Sequence, residues 1–100
     1  MDCDAERGEN APEMVNDNQT ISARLVRLRN ALRMSQADMC RAIGVAPNRW
    51  NQYESGERRI TLEVAGKLRE RFGVTADWLY FGDESGLPQR LTDKFLEAAE

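Results

Sequence analysis

Between Ser35 and Gly56 the chain carries two helix-start signals and two helix-stop glycines within twenty-two residues. This punctuation restricts the fold more than any other feature of the sequence. Ser35 with Asp38 three residues on is a variant capping box, and Met34 and Met39 stand at the two positions of a hydrophobic staple. Met39, Cys40 and Ile43 then share the inner face of a helix running from Gln36 to Ile43. Gly44 stands where a left-handed residue ends a helix. After Val45 and Ala46, Pro47 suits the first turn of a second helix, where its missing N–H would have had no partner. Trp50 and Tyr53 are the apolar anchors of that second helix, and Gly56 stops it. Two short helices joined by so tight a turn pack one behind the other, which lets the outer face of the second project.

The flanking segments repeat the same grammar. Ile21, Leu25, Leu28 and Leu32 recur at spacings of four, three and four, one face of a helix that Thr20 or Ser22 can cap. Thr61 caps a helix whose expected inner face is Leu62, Ala65, Leu68 and Phe72, ended by Gly73. Thr75 caps a short helix with Trp78 and Leu79, where Val74 and Leu79 form a second staple, and Gly82 closes it. No strand pattern occurs. The fold class expected is all-α: a compact five-helix domain over residues 20–82. Residues 1–19, rich in Asp, Glu, Asn and Gly, are expected to form a flexible acidic tail. In residues 83–100, Leu91, Phe95, Leu96 and Ala99 share a face of a further helix. That pattern fits docking on the domain, pairing with another chain, or a loose segment.

Charge follows these divisions. The formal net charge is −3, but residues 20–82 carry eleven basic and six acidic groups, while residues 1–19 carry one basic and six acidic. A basic middle between acidic ends fits a domain that meets a polyanion. Histidine is absent, and Cys3 and Cys40 have no metal-ligand spacing. The chain therefore lacks the imidazole bases and ligand clusters of most hydrolases and zinc enzymes, and no enzyme activity and no cofactor are expected. No apolar run approaches the roughly 18 residues of a membrane span, so a cytoplasmic protein without a membrane partner is expected.

The chain resembles the helix-turn-helix family of the lambda-repressor and Cro type, also called XRE-type, from about Ile21 to Gly82. The resemblance rests on Met34-Ser-Gln-Ala-Asp-Met-Cys40, Ile43-Gly-Val-Ala46, Asn51-Gln-Tyr-Glu-Ser-Gly56 and Gly73-Val-Thr-Ala-Asp-Trp-Leu79. It implies double-stranded DNA as partner, with the helix after Pro47 in the major groove. Asn48, Arg49 and Gln52 match base-reading positions, and Asn51 lies on the same rim. Gln36, Ser55, Arg58 and Arg59 match phosphate-binding positions. Arg29 and Glu54 match an ion pair that joins the first helix to the reading helix.

The chain departs from the family at Ala46, where a capping Ser or Thr is common, at Pro47, which removes a possible reader, and at Trp50, which replaces an aliphatic residue. The function implied is a sequence-specific transcriptional regulator, a repressor, binding an inverted repeat as a homodimer. The alternative is an antitoxin-like or adaptor module that holds a protein partner through residues 83–100. Trp50, Tyr53, Phe72 and Trp78 are read as core, and Arg24, Arg27 and Arg33 as solvated surface.

Overall fold

A computed structural model describes residues 17–99, which are all-helical: α1 (Asn18–Ala31), α2 (Gln36–Ile43), α3 (Pro47–Ser55), α4 (Leu62–Phe72), α5 (Ala76–Phe81) and α6 (Gln89–Ala99). Side-chain caps open four of these helices. Ser35 accepts from the Asp38 N–H at 3.0 Å, Thr61 from Val64 at 3.2 Å and Thr75 from Trp78 at 3.1 Å. At α1 the cap is Asp17, whose carboxylate accepts from the Thr20 N–H at 2.8 Å. The helix thus begins before Thr20 and Ser22, and residues 18 and 19 belong to it rather than to a tail. Ser22 is instead buried, its hydroxyl donating back to the Gln19 carbonyl at 2.8 Å. The remainder of the expected acidic tail, residues 1–16, lies outside the described residues.

Gly44 ends α2 in the left-handed region at φ +71°. A Cβ there would meet nothing within 4 Å, so conformation and not space demands glycine at this turn.

The helix α1 is the spine of the domain, packed against α3, α5 and α6, while α2 packs on α3 and α4, and α4 on α5. One continuous core joins Leu25 and Leu28 of α1 with Met39, Trp50, Tyr53, Leu68 and Trp78. Helix α4 turns Val64, Ala65 and Leu68 inward, whereas Leu62, expected on the inner face, is 69% exposed as the first residue of the helix. Cys40 is a buried free thiol, pushed up in pKa by burial and by the charge of Glu54. No helix among the described residues is long and apolar enough to cross a membrane.

The domain does not close at Gly82. Leu87, Leu91 and Phe95 enter the same core, so α6 is a sixth helix docked on the other five. The Phe95 ring stacks on Trp78 with centroids 5.0 Å apart, and the Arg27 guanidinium lies 4.6 Å from its centroid. Arg24, read from sequence as solvated, reaches across to α5 and donates from Nη1 to the Leu79 carbonyl at 3.0 Å. Burial lowers its pKa, opposed by the charge of Asp17.

Truncating Phe95 therefore opens a cavity in the core. Phe95→Ala is expected to destabilise the fold by about 3–5 kcal/mol in urea unfolding. The neighbouring Leu96→Ala, at a side chain 67% exposed, should stay within about 0.5 kcal/mol. Equal, small effects from both would show that α6 is not part of the core.

Candidate nucleic-acid interface

The helix α3 buries one edge and exposes the other. Trp50 and Tyr53 are 0% and 1% exposed, set edge to face with ring centroids 6.3 Å apart. On the opposite edge Asn48, Arg49 and Asn51 are exposed and Gln52 is half-buried. The N-cap position, Ala46, makes no side-chain hydrogen bond, and Pro47 occupies the first turn. The outward edge consequently presents amide and guanidinium groups, the side chains that pair with base edges in the major groove.

A single carboxylate fixes the attitude of this helix. Glu54 accepts from Arg29 Nε at 2.6 Å and Nη2 at 3.2 Å, from Gln36 Nε2 at 2.8 Å and from Trp50 Nε1 at 2.6 Å. Its side chain is 5% exposed and that of Arg29 18%. Arg29 also donates from Nη1 to the Met34 carbonyl at 3.0 Å, which ties the α1–α2 turn into the same cluster. Burial alone would raise the Glu54 pKa. The hydrogen bonds from Arg29, Gln36 and Trp50, with the charge of Arg29, outweigh it and hold the carboxyl below the ordinary glutamate value of 4.5. Arg29 and Glu54, matched from sequence as an ion pair, are thus in contact. Trp50 is a hydrogen-bond donor as well as a core residue.

The residues matched to phosphate contacts lie in two places. Gln36 opens α2, where its amide nitrogen is held by Glu54. Ser55, Arg58 and Arg59 gather at the end of α3 and the turn beyond it. The Ser55 hydroxyl donates to the Gln52 carbonyl at 3.1 Å and accepts from the Glu57 N–H at 3.3 Å. Arg58 donates from Nε to Gln52 Oε1 at 3.1 Å. Arg59 donates from Nε to Asn18 Oδ1 at 3.0 Å.

Among the contacts that sequence reasoning missed, three bear directly on α3. The Trp50–Glu54 bond has a local signal, the four-residue helical spacing. Gln36–Glu54 and Arg58–Gln52 join separate segments and leave no periodic trace.

The helix-turn-helix family matches residues 25–79, more than half of the chain. The chain belongs to that family. It is 32% identical over 75 residues to the HTH-type transcriptional regulator PrpR of Mycobacterium tuberculosis. The match covers 75% of this chain but only 15% of PrpR. No solved structure matches the chain significantly.

Removing Glu54 leaves Arg29 partly buried without its counter-charge, so Glu54→Ala is expected to destabilise the domain by about 3–5 kcal/mol. Because the carboxyl titrates below its unfolded value, its contribution is fully present above pH 4.5 and is lost as pH falls through the lower folded value. Unfolding measured across that acid range should show this loss in the wild type and a flatter profile in Glu54→Ala. Parallel profiles would refute the linkage.

Proposed function

We propose that this chain is a sequence-specific DNA-binding transcriptional regulator that acts as a repressor, without enzymatic activity, by occupying operator DNA in the cytoplasm. The observation that carries the reading is the two-sided character of α3. Its inner edge is locked by Trp50, Tyr53 and the Glu54 cluster, and its outer edge offers Asn48, Arg49, Asn51 and Gln52. A helix held this rigidly and armed with amides and a guanidinium suits a major groove about 12 Å wide. Gln36, Ser55, Arg58 and Arg59 flank the reading edge and would grip the phosphates on either side. Family membership and the regulator name of PrpR support the same reading.

The operator would be an inverted repeat bound by a homodimer, its half-sites about 34 Å apart. The inner face of α6 is spent on the chain's own core, so among the described residues of a docking tail at 83–100 only Leu96 remains as an exposed large apolar side chain. Phe81, at the end of α5, is 42% exposed. These two residues are the proposed dimer contacts.

Enrichment of bound duplexes from a random-sequence pool, repeated at two salt concentrations, tests this reading. A two-fold symmetric motif is expected, with affinity that falls steeply as salt rises. Asn48→Ala should relax preference at one position by about 1–3 kcal/mol. Arg59→Ala should weaken all sequences alike and lower the salt slope by about 1. Failure to enrich any motif at low salt would overturn the proposal.

A further inference from the structure

The contact between Gln52 and Arg58 bears on which base the reading edge prefers. Gln52 is bound to the turn beyond α3 through both its main chain and its side chain. Its carbonyl accepts from the Arg58 N–H at 3.1 Å and from the Ser55 hydroxyl at 3.1 Å, and its Oε1 accepts from Arg58 Nε at 3.1 Å. Gly56, at φ +84°, makes the turn that brings Arg58 back over a residue six positions earlier. That turn is covered by Gln19 of α1, whose Nε2 would collide with a Cβ built on Gly56.

The chemistry of this contact is asymmetric. An arginine Nε–H only donates, so the amide atom facing it is the oxygen, and a flipped amide would set donor against donor. The NH2 group of Gln52 is therefore the arm left to face away from Arg58.

We infer that Arg58 is a positioning residue for base recognition, which turns Gln52 into a hydrogen-bond donor that favours guanine or thymine over adenine. The inference rests on the reading of α3 as the DNA-reading helix. Adenine is read bidentately by an amide that donates to N7 and accepts from the N6 amino group. In this chain the oxygen that would accept from N6 already accepts from a cation. The bond to the guanidinium also polarises the amide and makes its N–H groups better donors. The Nη groups of Arg58, which have no partner among the described residues, add further donors beside it. Such a cluster suits an edge made of acceptors: N7 and O6 of guanine, or O4 of thymine.

The test compares binding constants for the wild type, Gln52→Ala, Arg58→Ala, Arg58→Lys and Arg59→Ala on duplexes that differ only at one base pair. That pair is the position of the enriched motif whose preference Gln52→Ala abolishes. Wild type should favour guanine or thymine over adenine there. Arg58→Ala should move the ratio towards adenine by about tenfold, within the range of one base contact. Arg58→Lys should recover affinity but not the preference, because lysine lacks the planar Nε–H donor. Arg59→Ala should scale all duplexes together.

Adenine preferred by the wild type, or an unchanged ratio with uniformly weaker binding in Arg58→Ala, overturns the inference and leaves the DNA-binding reading intact. A motif that Gln52→Ala alters nowhere also overturns it alone. Absence of any motif in the wild type overturns both.

Discussion

The Glu54 carboxylate is the constraint on which the rest of the domain depends. Its two oxygens collect donors from α1, α2 and α3: the Arg29 guanidinium, the Gln36 amide and the Trp50 indole. Hydrophobic contact is not directional and would tolerate a slide or rotation of α3 over α1. Short charge-assisted bonds at fixed angles do not. A buried ion pair is weak evidence of stability in itself, since desolvation offsets most of its Coulomb energy. Its product here is orientation. The bulk of Trp50, a departure from the family's aliphatic residue, is accommodated because its one polar atom finds this acceptor.

Orientation explains the division of labour along α3. Its C-terminal half carries Tyr53, Glu54 and the Gln52–Arg58 contact, all held by other elements. Its N-terminal half begins at Ala46 without a side-chain cap, and Asn48, Arg49 and Asn51 have no side-chain hydrogen bond or ion pair among the described residues. One end is fixed and the other is left open. Under the DNA-reading proposal, the open end supplies adaptable contacts, and the fixed end sets the angle at which they arrive. A capping Ser or Thr in place of Ala46 would tie down a backbone N–H group at the helix start, a bond that the Ala46 side chain cannot make.

The start and stop signals between Ser35 and Gly82 were legible in the sequence because they are local: a hydroxyl reaches three residues forward and a glycine adopts its own φ. Contacts between distant segments were not. Leu91 and Phe95 have the same spacing whether they face a partner chain or their own core. What decides is the Trp78 ring, which offers Phe95 a stacking surface that no helical repeat reveals. Asp17 looked like one more acid of a polar tail because a cap is recognised only with the helix that follows. Leu62 continued the inner stripe on paper, yet Val64 takes the core position and Leu62 projects. Arg24 and Arg27 read as solvated because periodicity reports which side a residue occupies and not how far a long side chain reaches.

The same limit applies to the outer edge of α3, where it has chemical consequences. Asn48, Arg49, Asn51 and Gln52 were identified by position, which assigns each its full hydrogen-bonding repertoire. Structure narrows that repertoire by what each side chain already holds. Gln36 keeps its amide oxygen but has committed a donor to Glu54, while Gln52 keeps its donors but has committed its oxygen to Arg58. Two residues of one type are thereby made complementary, and neither difference is visible in the letter Q. The acidic residues before Asn18 gave the chain its net negative charge, yet the side chains that would meet DNA are neutral amides and arginines. Charge summed over the chain therefore carries less information about its partner than the partners each polar group already has.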